Sequence, residues 1–334
     1  MFKQDYSIGV LMLSYNDESI LEDCLMSIRN QNYDQSLINI FLMDGGSSDG
    51  TLRIAQKYGA TIISHPELKN QPDIRTAIGF QASRADLVIF FSADNRFQEK
   101  DALSEMVKTF DDQEVVACET LRYGYRKTDP ALSRYFALIG GCDPIAVGLG
   151  KADRGPYDKN GSWHSFGVAL DCGEYFKVKF ESDVSKIPTI GANGFLIRRE
   201  LIDEMDYKEN GAHIDMCVSL IKKGYSSFAF VKNKHVVHYI NISIIAFLKR
   251  RLLWAKVYSA DKIKREYGVF QKKDTVRLIL MVFANLTFIL PLLRAIKGYF
   301  FVRDIAWFLH PLVCFVFTLS YGLFYFKKYF SNNV

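Results

Sequence analysis

Three polar clusters interrupt the apolar runs of the first hundred residues: Ser14-Tyr15-Asn16-Asp17-Glu18, Asp44-Gly45-Gly46-Ser47-Ser48-Asp49-Gly50-Thr51 and Ser92-Ala93-Asp94-Asn95. An Asp that closes a strand can accept hydrogen bonds from the N–H of a heterocyclic base. The glycines behind Asp44 let the backbone approach a ligand closely, and Asp49 can cap the helix that follows. The competing reading of Asp44–Thr51 is a tight strand-to-helix turn, because Gly, Ser and Asp are ordinary turn residues. Arg75 carries a planar guanidinium that matches phosphate geometry. It is a candidate for a nucleotide or its phosphates, or else a solvated arginine at a helix start.

The elements around these clusters place them along one edge. The runs 7–14, 38–43, 61–64 and 87–91 are short and almost wholly apolar, as expected of strands buried on both faces. Helical spacing of Ile20, Leu21, Cys24, Leu25 and Ile28 follows the first run, behind a possible cap at Asn16-Asp17. Further helices are expected over about 50–58 and 74–84. Strand–helix alternation with short connections predicts an α/β fold with a parallel, doubly wound sheet. Ser14, Asp44 and Asp94 then sit at the carboxyl ends of strands, where such sheets bind ligands. From 123 to 190 Gly, Pro, Asp and aromatics mix without period, as in a long substrate-shaping region. Order returns at 191–200, at a helix over 213–223 and at a strand over 227–231.

The 334 residues carry a net charge of +5, and the basic residues gather at 249–273 and not along an aromatic-interleaved stripe. Nucleic acid is therefore not the expected partner. The six cysteines have no paired spacing and read as reduced thiols. The first residues lack the apolar stretch and cleavage site of a signal peptide, so residues 1–240 are expected on the cytosolic side.

The three clusters, in this order and at these strand ends, resemble glycosyltransferase family 2 over roughly residues 5–240. That resemblance implies a GT-A fold, Rossmann-like, with a mostly parallel sheet flanked by helices. It implies that Ser14, Tyr15, Asn16, Asp44 and Gly45 hold the nucleotide of a UDP- or GDP-sugar, and that Asp94 binds the ribose and a divalent metal, Mg²⁺ or Mn²⁺. The family usually has an Asp where this chain has Ser92. The metal is then left to Asp94, the donor phosphates, and Asn95 or His238, the latter matching a late metal-binding histidine of many relatives. Gly191-Ala192-Asn193-Gly194, with Arg198-Arg199 beyond, resembles the donor-sugar loop. The family's acidic segment falls on Ala212-His213-Ile214-Asp215. An inverting transferase would thus use Asp215 or His213 as base, or need no strong base if the nucleophile is an anionic polyprenyl phosphate. Arg134-Tyr135-Phe136, Gly141–Pro144 and Trp163-His164 are expected to face the acceptor, although core packing accounts for such aromatics equally well.

The last third changes character. Ile244, Ile245, Leu248 and Leu252 share a helical face ringed by Lys249, Arg250, Arg251 and Lys256, which suits a helix in the headgroup plane or one packed on the domain. Residues 278–293 and 305–326 are uncharged, and the second is long enough for a hydrocarbon core of ~30 Å. The expected organisation is a catalytic domain over 1–240, a basic interface helix over 241–273 and one or two transmembrane or re-entrant helices over 274–330. Membrane lipids and a lipid-linked acceptor, either polyprenyl phosphate or a growing glycan, are the expected partners; the alternatives are a transferase acting on a soluble or protein acceptor, or a non-catalytic nucleotide-sugar-binding protein.

Overall fold

The computed structural model describes residues 5–159, 166–204, 213–260, 267–268 and 270–331. In chain order the elements are β1 (Ile8–Ser14), α1 (Glu18–Arg29), β2 (Ile38–Asp44), α2 (Thr51–Lys57), β3 (Thr61–Ser64), α3 (Pro72–Ala82), β4 (Leu87–Phe90) and β5 (Asn95–Phe97). Then come α4 (Ala102–Lys108), β6 (Ala117–Gly124), α5 (Ala131–Ile139), α6 (Pro144–Gly148), β7 (Gly167–Asp171), β8 (Tyr175–Phe180) and β9 (Phe195–Arg198). The chain ends with α7 (Glu200–Glu204), α8 (His213–Lys222), β10 (Ser227–His238), α9 (Ile244–Ala260), α10 (Thr275–Thr287), α11 (Ile289–Phe301) and α12 (His310–Ser331). Two compact units result, one from 1–124, 164–239 and 265–267, the other from 125–163, 240–264 and 268–334.

The first unit is built on a ten-stranded sheet of order β3-β2-β1-β4-β9-β6-β10-β8-β7, with β5 also paired to β10. The four expected strands are β1 to β4, and they run parallel. Ile8, Val10 and Met12 of β1 are buried with Leu21, Cys24, Leu25 and Ile28 of α1 in one core. Each such aliphatic side chain contributes about 1.5–3 kcal/mol of burial. Register aligns the strand ends, pairing Ser14 with Asp44 and Asp44 with Ser64.

The rest of the sheet corrects the expectation of a mostly parallel one. β9 enters antiparallel between β4 and β6, and β5 and β8 run antiparallel to β10. The sheet is mixed, because only the first four strands are joined by the short helical crossovers that enforce parallel pairing. The stretch 123–190 also contains regular structure, namely α5, α6, β7 and β8. In α5 seven of nine residues are buried, leaving Ala131 and Arg134 on its outer side.

In the second unit, Tyr135 and Phe136 are core residues, and Arg134 donates to Asp304 at 2.6 Å. Packing is thus the role the structure gives these aromatics; Trp163 and His164 lie outside the described residues. Among the described side chains of α9, Phe247 and Leu248 are buried, Phe247 lying near Phe136 and Phe317, whereas Ile245 of the expected apolar face is exposed. Arg251 turns inward to Asp143 at 2.9 Å. The apolar stretch 278–293 is broken at Phe288 (φ 62°), where α10 and α11 meet at 81°. Among the described residues one helix, Ile305–Lys327, is long and apolar enough to cross a membrane.

Candidate active site

The first two clusters lock onto each other. Asn16 N donates to Ser47 Oγ, Asp17 N to Thr51 Oγ1 and Glu18 N to Asp49 Oδ2, while Ser48 N donates to Asn16 Oδ1 and Gly50 N to Glu18 Oε2. Asn16 reaches Ser48 from the left-handed region, at φ 53°, a conformation Asn tolerates better than most residues. The N-terminal amide of α1 is therefore capped by Asp49 from the neighbouring loop. The Asp17 carboxylate instead turns back to Ser14 Oγ (2.8 Å) and Tyr15 N (3.0 Å). Burial raises the Asp17 pKa, and the charges of Asp94 and Asp49 add to that direction.

Asp44 is completely buried. Its carboxylate accepts from Gly46 N at 2.9 Å, Ser47 N at 3.0 Å, Ser47 Oγ at 2.6 Å and Ser64 Oγ at 2.7 Å. Burial pushes this carboxyl up, but the bonds from Ser47, Ser64 and the turn amides outweigh it and hold the pKa below the usual value. Asp44 thus builds the turn that carries the edge of the site, and Gly46, at φ 89° against Pro66, needs the conformational freedom of glycine.

Arg75 lies behind the same strand ends. Its NH1 donates to Ser14 O at 2.9 Å and Met43 O at 2.7 Å, so it fixes the ends of β1 and β2. A Cβ on Gly45 would stand 3.0 Å from that nitrogen, which explains the glycine. Burial lowers the Arg75 pKa, opposed by the charges of Asp44 and Asp17. A guanidinium bonded to carbonyls keeps its positive charge, which favours an anion at this edge. Tyr15 sits with the Lys69 ammonium 3.8 Å from its ring centre.

The third cluster meets the end of β10. Asp94 Oδ2 is 3.2 Å from His238 Nε2, and the Asn193 amide nitrogen is 3.5 Å from His238 Nδ1. Asn193 also donates to Tyr123 Oη at 3.1 Å and accepts from Asn95 Nδ2 at 3.3 Å. Asn95 Oδ1 accepts from Ser92 N, and the Cys24 thiol donates to Ser92 O, so the turn bearing Asp94 is tied from both sides. Asp94, His238 and Asn193, predicted separately, form one polar network.

Two residues that sequence reasoning missed support it. Glu119 is buried on β6 and its Oε1 accepts from Gly191 N at 2.9 Å, at the root of the 191–194 loop. Tyr123, four residues on and on the same face of the strand, holds Asn193. A glutamate inside the apolar run 115–121 was the available signal.

The two base candidates differ in surroundings. His213 packs edge-on to Phe90, with ring centres 4.8 Å apart, and lines a cavity of about 90 Å³ with Ser92, Ala192 and Asn193. Asp215 Oδ1 accepts from Tyr267 N at 3.0 Å, and Tyr267 Oη in turn donates to Ile187 O. Ala212 lies outside the described residues. Arg198 and Arg199 hold backbone carbonyls, Arg198 those of Val115 and Phe110, Arg199 those of Phe80 and Ser83.

A parallel β1–β4 half, a mixed remainder and a polar edge at the strand ends make up a GT-A-like α/β fold. The model of glycosyl transferase family 2 matches residues 9–204, and the chain belongs to that family. Over 117 residues it is 29% identical to EpsH of Bacillus subtilis (strain 168), provisionally described as a glycosyltransferase. That match covers 34% of this chain and 33% of EpsH, about a third of the relative's length. The mannosyltransferase PcManGT from Pyrobaculum calidifontis, solved with GDP-Man and Mn²⁺, has a similar fold. The TM-score is 0.54 at 13% identity, over 96% of this chain and 86% of that one. Residues 1–349 of S. aureus TarS, solved with UDP, align over 95% of this chain and 91% of that one, with TM-score 0.47 and 11% identity.

Proposed function

We propose that this enzyme transfers a sugar, with inversion, from a UDP- or GDP-sugar to a lipid-linked acceptor, a polyprenyl phosphate, at the cytosolic membrane face. The observation that carries the donor half is the Asp94–His238 pair at the strand ends, joined to Asn193. A carboxylate and an imidazole 3.2 Å apart can serve one divalent ion, and the mixed oxygen and nitrogen set suits Mn²⁺. Among the described residues no group of three or more His, Cys, Asp or Glu side chains is gathered there. Donor phosphates and water would complete the shell, as is usual for ions that bind phosphate substrates. Such an ion would neutralise the diphosphate as the glycosidic bond breaks.

The chain's own residues do the rest. Ser14, Tyr15, Asn16 and the Asp44–Gly45 turn form the nucleotide edge, with the Arg75 charge behind it. Asn193, held by Tyr123, presents the donor-sugar loop. The base candidates and the apolar C-terminal helices support the acceptor half. His213 sits against Phe90, and an oxygen of Asp215 is engaged by Tyr267 N. A phosphate anion needs no strong base, and the apolar helices α10 to α12 suit a lipid-borne substrate. Incubating membranes containing the enzyme with candidate UDP- and GDP-sugars, with and without polyprenyl phosphate, tests the reading. Release of UDP or GDP must require the acceptor lipid; equal release onto soluble sugars would refute the lipid half.

A further inference from the structure

The C-terminal helices present apolar side chains outward at helical spacing. On α10 the exposed residues Val276, Leu280 and Phe283 stand at i, i+4 and i+7. On α11 Ile289, Leu293 and Phe300 continue one stripe at i, i+4 and i+11, Phe300 being 78% exposed. On α12 the stripe is Leu312, Leu319 and Leu323. Between Thr275 and Ser331 the single acidic residue is Asp304, which is buried against Lys127 and Arg134. Exposed Arg277, Lys297, Arg303 and Lys327 leave this surface positive.

We infer that α10, α11 and α12 attach the protein to one leaflet of an anionic membrane without crossing it. Each of α10 and α11 has 13 residues, ~20 Å of helix, and neither alone bridges a hydrocarbon core of ~30 Å. Their 81° bend at Phe288 turns the chain aside. α12 has the length to span, but its partners forbid it. His310 Nδ1 bonds Tyr135 Oη at 2.7 Å, and Tyr321 Oη donates to Asp143 Oδ2 at 2.6 Å. Asp143 also carries the ion pair to Arg251. His310 and Tyr321 are eleven residues apart, ~16 Å, so a spanning α12 would hold both inside the hydrocarbon. It would take Asp143, Arg251 and the exposed Lys249 and Arg250 with it. Each such cation at the bilayer centre costs about 2.5–3.5 kcal/mol. α12 therefore lies along its own unit and shows the leaflet its outer stripe. The inference holds whatever the acceptor.

Epitopes at the two ends of the full chain, probed with protease in sealed membrane vesicles, test the topology. Both epitopes should be cleaved from the same side; a C-terminal epitope protected where the N-terminal one is cleaved overturns the inference. Purified protein should sediment with vesicles containing phosphatidylglycerol. The variant L280S/F283S/L293S/F300S, altered only at exposed positions, should partition roughly a hundredfold less while still binding nucleotide. Unchanged sedimentation of that variant, or a wild-type dimer that ignores vesicles, would show that something other than a leaflet covers this face.

Discussion

Asp94 Oδ2 and His238 Nε2 meet 3.2 Å apart although 144 residues separate them in the chain. One stands on the turn after β4 and the other ends β10, and β9 and β6 lie between those strands in the sheet. The pair is brought together by β5, which starts at Asn95 and runs antiparallel to β10 in the register Asn95↔His238. Replacing either residue by Ala should lower kcat by about 10²–10³-fold, the scale of lost metal assistance. Nucleotide binding should lose its dependence on Mn²⁺ in calorimetry.

Asp44 is expected to matter for stability as much as for the donor. Asp44→Ala strands donors of Gly46, Ser47 and Ser64 and should cost roughly 2–3 kcal/mol in denaturant unfolding. Its pKa is lowered on folding. Its contribution is accordingly complete above the unfolded value near 3.8 and is lost as pH falls through the lower folded value. Asp17 has the opposite sign, so Asp17→Asn should flatten the pH dependence that it imposes as pH rises through its raised value. Unfolding midpoints between neutral pH and pH 3 separate the two.

Asn193 combines a left-handed backbone, at φ 51°, with a side chain that touches Tyr123 and His238. Asn193→Gly keeps the backbone and removes the amide, and should raise the donor KM about tenfold at little cost in stability. Asn193→Ala should add ~1–2 kcal/mol of destabilisation. Equal unfolding midpoints for the two variants would contradict this.

Glu119 should act as a positioning residue for the same loop. Glu119→Ala leaves Gly191 N without its partner and is expected to raise the donor KM several-fold, with a stability loss of ~1–3 kcal/mol. Glu119→Gln retains an acceptor oxygen and should recover most of the KM.

The base residues give a contrasting expectation. With a phosphate acceptor, Asp215→Asn and His213→Gln should each lower kcat less than about tenfold, well below the 10²–10⁴-fold typical of a general base. A loss of that larger size in either variant would reassign it as the base.

The polar edge at the strand ends was readable because its information is local. β1 to β4 are apolar runs that end on Ser14, Asp44, Ser64 and Phe90, and each feeds a short connection. The β9 insertion was not readable, since direction in a sheet is set by partners far along the chain, and Phe195–Arg198 carries no sign of its neighbours. His238 was identified by its place in a motif, but its contact with Asn193 depends on that unread strand. Glu119 and Arg75 show a further limit. Both are charged residues that serve buried backbone groups, and sequence alone does not separate that role from ligand contact.

The proposed activity is acceptor-dependent glycosyl transfer at the Asp94–His238 edge. Its most direct test is nucleotide release by membranes carrying the enzyme, supplied with UDP- or GDP-sugars, Mn²⁺ and polyprenyl phosphate, beside membranes carrying Asp94→Ala. UDP or GDP release should require the lipid and be lost in the variant. Donor binding with no release under any acceptor, or release that survives Asp94→Ala, would contradict it.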